Sequence, residues 1–272
     1  MLLISVFSSQ HVKKLVIVLI MIVIIYPHFA FAQPQIFTTL RGGTDSIVWD
    51  GKWSYLQEWK PMTENILTFT DGNELSVKTG HDRQNLYVFL DFISEEQFKK
   101  KSDYGIVCVT ANKTMESNLQ KDDYCFLAAL GSYNPLTFQG GGDLAATNHL
   151  VKIQNDPNLI AVGGISDEHD RYGGPPHTSY EFKIPIKAIG SSDVYNFYAA
   201  AYDAKTNKVY SWPQNVTSNE FPAIPSPAQW GELISPDKTL PEFPWPIFMM
   251  ILAFSLTIFV TRRQFFAKGQ FI

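Results

Sequence analysis

Residues 75–92 read Leu75-Ser76-Val77-Lys78-Thr79-Gly80-His81-Asp82-Arg83-Gln84-Asn85-Leu86-Tyr87-Val88-Phe89-Leu90-Asp91-Phe92, and this stretch decides the fold class. Leu75 to Thr79 and Leu86 to Phe92 are strand-like runs on either side of a polar reversal. Asp71-Gly72-Asn73, just upstream, is turn chemistry. The same punctuation continues outward. Ile106 to Thr110, Tyr124 to Leu130, Leu159 to Val162, Tyr180 to Ile184, Phe197 to Asp203 and Lys208 to Trp212 read as strands. Gln139-Gly140-Gly141-Gly142-Asp143, Tyr172-Gly173-Gly174-Pro175-Pro176 and Thr206-Asn207-Lys208 read as turns or loops between them. Only Ser94 to Lys101, with its charged face, reads as a helical turn. Strands at this spacing without strand–helix alternation predict an all-β antiparallel sandwich over residues 36–235.

The two ends carry targeting patterns. His11, Lys13 and Lys14 precede the apolar run Leu15 to Tyr26, and Ala30-Phe31-Ala32 offers a small-x-small cleavage site, so residues 1–32 are predicted to be a signal peptide. An uncleaved anchor is the alternative, but the run is short of the ~20 residues a spanning helix needs, and Pro27 interrupts it. Phe243 to Thr261 is apolar and is followed by Arg262, Arg263 and Lys268, a stop-transfer pattern. It predicts a transmembrane helix over 243–261, a cytoplasmic basic tail over 262–272, and an ectodomain outside the cell. Residues 236–242 are predicted to be a short stalk. Pro241-Glu242-Phe243-Pro244, the apolar span and the basic cluster together resemble the tripartite C-terminal signals of archaeal surface proteins, which implies an archaeosortase-type enzyme as a processing partner. Prolines that stop a strand and start a helix account for the same residues.

The formal net charge of -4 is spread without a basic stripe, which argues against a nucleic-acid partner. The chain has 2 cysteines, Cys108 and Cys125, each within a strand-like run in an export-compatible compartment. Adjacent antiparallel strands would bring them face to face, so a disulfide is expected; two buried thiols are the alternative, and a metal site lacks a second ligand at suitable spacing. The sequons at Asn112 and Asn215 are glycosylation candidates.

Four ordered patterns resemble the family-nine carbohydrate-binding sandwiches, relatives of the DOMON and ethylbenzene-dehydrogenase haem-subunit domains. These are Ile47-Val48-Trp49-Asp50-Gly51 with Glu58-Trp59; Leu75 to Asp82 leading to Asn85-Leu86-Tyr87-Val88; Tyr180-Glu181-Phe182-Lys183-Ile184-Pro185 with Ile189-Gly190; and Asn196-Phe197 to Asp203, Ser211-Trp212-Pro213 and Gln229-Trp230-Gly231-Glu232-Leu233. The resemblance implies a jelly-roll-like β-sandwich and, by analogy, sugar binding. Fold alone does not fix function. In a sugar site, aromatic faces stack on the apolar C–H face of a pyranose while amides and carboxylates take its hydroxyls. Trp59, Trp212 and Trp230 belong to framework motifs and are expected in the core or at packed edges. Trp53, Tyr133 and Tyr172 lie in loop-like sequence and are the ligand-binding candidates, although an exposed loop aromatic with no ligand is equally ordinary.

Haem relatives use a methionine and a lysine as axial ligands; Met62 and Met115 offer no such sheltered pair, so a haem cofactor is not expected. Calcium could sit on Asp122 and Asp123 or on Asp167, Glu168 and Asp170, residues that solvated acidic loops explain as well. His169 and His177 flank a Gly-Pro loop and are too few for a transition-metal assignment. No nucleophile elbow, zinc-protease motif, phosphate loop or defined carboxylate pair is present, so no enzyme activity is expected. The expected role is a non-catalytic cell-surface binding domain for glycans. The alternatives are a structural envelope protein contacting neighbouring surface proteins, or a haem- or metal-carrying electron-transfer module.

Overall fold

The computed structural model describes residues 34–40, 47–111, 118–141, 150–214 and 224–235. The predicted signal peptide, stalk, spanning segment and basic tail, and both sequons, lie outside them. No helix among the described residues is long and apolar enough to cross a membrane.

The described residues form a β-sandwich. Its strands in chain order are β1 (Gln35–Phe37), β2 (Thr39–Leu40), β3 (Thr63–Thr68), β4 (Glu74–His81), β5 (Asn85–Phe92), β6 (Tyr104–Thr110), β7 (Tyr124–Ala129), β8 (Leu136–Gln139), β9 (Val151–Ile153), β10 (Ile160–Ile165), β11 (Thr178–Pro185), β12 (Val194–Asp203), β13 (Lys208–Trp212) and β14 (Gly231–Ile234). One sheet runs β1-β14-β12-β6-β7-β8-β9 with β13 also on β12; the other runs β10-β11-β5-β4-β2 with β3 also on β4. Pairing is antiparallel except where β1 meets β14 and β2 meets β4. The chain therefore crosses between the sheets repeatedly, and each central strand pairs on one side with a strand distant in sequence: β5 with β11, and β6 with β12.

The period-two geometry of a strand sends successive side chains to opposite faces. Leu86, Val88, Leu90 and Phe92 of β5, with Leu75 and Val77 of β4, meet Val107, Val109, Phe126, Phe197 and Trp212 from the other sheet in the main core. The intervening residues are buried too. Tyr87 and Phe89 lie under Trp53 and Trp59, while Ile106, Cys108, Cys125, Leu127 and Tyr198 lie under Trp230. Each sheet is thus covered on its outer side by loops, which is why β5 and β6 read as near-continuous apolar runs rather than clean alternation.

Cys108 and Cys125 stand directly opposite each other on β6 and β7 and form a disulfide. The expected strands are all present, several longer than expected. Ser94 to Lys101 is a run of turns, not a helix: Lys101 sits in the left-handed region at φ 67, and its amide donates to the Leu130 carbonyl. A short helix, α1 (Ile186–Ile189), instead follows the proline that ends β11. Trp59 and Trp230 are 0% exposed and Trp212 is 6% exposed, as their framework positions predict.

Candidate functional site

The outer face of the sheet containing β4, β5 and β11 is rich in ionisable side chains. Strand register sets them in rows: Ser76, Asp91 and Ser179 lie side by side, as do Lys78, Phe89 and Glu181. Two loops cover these rows, residues 47–62 and residues 166–177.

The first loop is fixed by Gly51 and Glu181. The Gly51 amide donates to Glu181 Oε2 at 2.7 Å, and the Trp59 indole donates to Glu181 Oε1 at 3.0 Å. Burial, with Glu58 nearby, pushes the Glu181 carboxyl well above its usual range, while the Gly51 and Trp59 donors oppose the shift. Trp59 stacks on Phe89 at 4.9 Å between centroids, and Trp53 meets the same ring edge-on at 6.0 Å. Glu58 accepts from the Val48 and Ser54 amides, both at 2.7 Å, closing the loop on itself.

Trp53 therefore corrects an expectation. Its ring is 0% exposed and its indole N–H donates to the Tyr55 carbonyl, so it presents no stacking face to solvent. The aromatic faces of Phe89 and Tyr172 capture it because a loop lying over a sheet hides its own large side chains. Tyr172 is half-buried and meets Trp53 edge-on at 6.4 Å. Tyr133 lies in the turn after β7, is 69% exposed, and has no ring contact among the described residues. Trp53 and Tyr172 are brought together, and Tyr133 is not in contact with either.

Glu64 of β3 organises the groups around Tyr172. It receives Lys78 Nζ at 3.1 Å, Arg171 Nη1 at 3.0 Å and the Tyr172 hydroxyl. Lys78 lies 4.8 Å above the Trp53 ring, and the Arg171 guanidinium is 5.8 Å from Trp53 and 5.7 Å from Tyr172. Burial pulls the Lys78 ammonium below its usual range, against the pull of Glu64. Lys78 is sealed in, whereas the Arg171 side chain is 41% exposed and that of Glu64 is 20% exposed. No motif marks Glu64 and Arg171; only the pairing of β3 with β4 places the first beside the loop that carries the second.

The acidic loop residues divide in two. Asp167 pairs with Lys52 and lies 3.1 Å from His169, and with Glu168 these form an exposed group. Asp170 leaves that group and turns inward beside Asp91 and His177. The trio expected from sequence proximity, Asp167, Glu168 and Asp170, does not assemble. Asp123 is buried, its carboxylate accepting from the Gln120 amide at 2.7 Å. Met62 packs over Gly80 within the aromatic cluster, and Met115 lies outside the described residues.

Glu95, Asp103 and Asp203 form a buried carboxylate group at the start of β11, where Glu95 accepts from Thr178. Burial raises Glu95 from 4.5 to about 8, while its hydrogen bond from Thr178 opposes the shift and Asp103 and Asp203 add to it. The folded state thus holds a proton that the unfolded chain has already released. The contribution of Glu95 to stability is fully present below about pH 4.5 and is lost as pH rises from there to about 8. The melting temperature is expected to decline across that window, and Glu95→Gln to flatten the decline; an unchanged slope in the variant would contradict the assignment.

An open cleft of about 570 Å³ lies elsewhere, lined by Arg83, Asn85, Asn158, Lys183, Lys187 and Ser191 among others, with no aromatic ring in its wall.

No family model matches the sequence, and no curated protein matches it. Among solved structures, a family 9 carbohydrate-binding module from Caldicellulosiruptor kristjanssonii in complex with cellotriose is similar at 14% identity and a TM-score of 0.48, covering 78% of this chain and 100% of that one. A structure of a family 9 module from the same organism in complex with glucose is similar at 15% identity and a TM-score of 0.47, with 78% and 100% coverage. No residue role in this chain follows from either.

Proposed function

We propose that this chain is a non-catalytic carbohydrate-binding domain, held at the outer cell surface by its C-terminal apolar segment. The observation that carries the reading is the solvent edge of the Glu64 cluster, where Arg171 and Glu64 are held in place by each other and bordered by the half-buried Tyr172 ring. Arg171 donates to Glu64 through Nη1 and keeps further N–H groups for sugar hydroxyls, while the open part of the Tyr172 ring gives the apolar C–H face of a pyranose a surface. Because these side chains are already paired, little rotamer freedom remains to be lost on binding. Tyr133 is retained as a second, separate aromatic contact.

Binding of the full chain in detergent to a broad glycan array tests the reading. Arg171→Ala and Tyr172→Ala are each expected to weaken binding by roughly tenfold or more, about 1.4 kcal/mol; Arg171→Ala should change the melting temperature little, whereas Tyr172→Ala should lower it, because its ring packs on Trp53 and its hydroxyl donates to Glu64. Lys183→Ala, in the basic cleft, is expected to leave affinity unchanged. Absence of any bound glycan, or loss confined to Lys183→Ala, would favour a structural envelope role or a different site.

A further inference from the structure

Asp91 lies on the outer face of β5, wholly buried, between Ser76 and Ser179. His177, just before β11, brings Nε2 to 2.9 Å from Asp91 Oδ1 and 3.8 Å from Asp170 Oδ1. One ligand atom from each of the three residues lies within 4.8 Å of the others, and all three residues are buried. Beyond that His177–Asp91 contact, Asp91 Oδ2 and Asp170 Oδ2 are buried with no hydrogen-bond partner among the described residues. Unpaired carboxylate oxygens in one dry place are costly unless something binds them, since each unpaired buried group carries its full desolvation penalty.

The histidine is already oriented. Its Nδ1 lies 3.1 Å from the Pro175 carbonyl and 3.0 Å from Ser166 Oγ. A carbonyl can only accept, so Nδ1 carries a proton, and Nε2 faces the two carboxylates either as a second N–H of the imidazolium or, once a metal ion displaces that proton, as a ligand lone pair. Without a metal ion, a single Nε2–H would have to serve two carboxylates, at 2.9 Å from Asp91 and 3.8 Å from Asp170. Such a carbonyl partner on the far nitrogen is how a metal-binding imidazole is commonly held. Asp170 is positioned by the Tyr172 amide, which donates to Oδ1 at 2.8 Å and leaves Oδ2 pointing inward. The charge balance points the same way. The cation approaching from β4 is Lys78, and it is engaged by Glu64. From the loop side, Asp167 is neutralised by Lys52, and Arg171 is turned to Glu64.

We propose that Asp91, Asp170 and His177 form a buried site for a zinc-class divalent cation, which fixes the 166–177 loop to β5. One imidazole and two carboxylates suit zinc and its first-row neighbours, whose ligand distances of about 2.0–2.2 Å are compatible with atoms lying within 4.8 Å of one another. Calcium, which takes about six to eight oxygens, is poorly served by so few. The proposal stands independently of the carbohydrate reading, although the loop it anchors also carries Arg171 and Tyr172.

The test uses the untagged full chain in detergent, dialysed against a chelator and then titrated with Zn2+, Co2+ or Ca2+ alone. One equivalent of Zn2+ is expected to bind and raise the melting temperature, and Co2+ to produce visible absorption bands from an imidazole–carboxylate site. Asp170→Asn and His177→Gln should each weaken Zn2+ binding on the order of 100-fold and abolish the cobalt bands. His169→Ala, which alters the exposed acidic group instead, should leave both intact. If wild-type protein takes up no Zn2+, responds to Ca2+ alone, or loses binding through His169→Ala while His177→Gln retains it, the proposal is overturned. The wild-type titration decides the matter even if a variant fails to fold.

Discussion

Trp53→Ala is expected to destabilise the domain by roughly 3–5 kcal/mol, the cost of emptying a large aromatic site in a core that cannot fully collapse. Its ring is 0% exposed, meets Phe89 and Tyr172 edge-on, and lies under the Lys78 ammonium. Truncation would therefore leave a void and remove the aromatic face beside a buried charge. For a domain whose total stability is of the order of 5–15 kcal/mol, that is a large fraction. Denaturant unfolding measures it directly. Tyr133→Ala serves as the comparison: that ring is 69% exposed, and its removal should stay within about 0.5 kcal/mol. A Trp53→Ala protein that unfolds like wild type but loses glycan binding would return Trp53 to the role of a ligand platform.

Gly51→Ala is expected to cost roughly 2–6 kcal/mol, from two separable sources. Gly51 has φ 84, where an alanine pays about 1–3 kcal/mol of conformational strain. A Cβ there would also stand 2.3 Å from the Gly164 nitrogen and 2.5 Å from the Gly163 carbonyl carbon. These are backbone atoms of β10 and cannot swing aside, so overpacking adds about 1–3 kcal/mol. Any shift of Gly51 would also pull its amide from Glu181 and its carbonyl from the Ser179 hydroxyl, unpairing a buried carboxylate. Gly72→Ala isolates the two sources. Gly72 has nearly the same backbone at φ 85 but nothing within 4 Å of a Cβ, so it should show the conformational cost alone. Equal losses in the two variants would mean that the approach of Gly51 to Gly164 contributes nothing.

The Asp-Gly pair at residues 50–51 shows where a sequence pattern ends and structure begins. Turn chemistry is legible in the pair itself, but not that its glycine is required by the backbone of β10, more than a hundred residues later. Strand edges fail for a related reason. β3, β8 and β14 are short or partly polar, and become strands because β4, β7 and β12 lend them a hydrogen-bonding edge. The Cys108–Cys125 pair was legible because two apolar runs joined by one polar loop can align in only a few registers, and one of these puts the sulfurs face to face.

The sequence alone determined the two-sheet β class, the strands of the sandwich centre, the cysteine pairing and the framework tryptophans. The first three follow from local composition and the two-residue period of a strand, which are properties of neighbouring residues, and the framework tryptophans from the motifs of the family resemblance. Tertiary structure alone decided which loop aromatics are hidden and which charges meet. Trp53 and Tyr172 both lie in turn-rich sequence, yet the sheet face beneath them buries the first entirely and leaves the second half open. Asp167 and Asp170 stand three positions apart, yet one faces Lys52 and the other turns to Asp91 and His177. Those partners come from other elements, and their approach depends on register and loop path, which no local pattern of residues encodes.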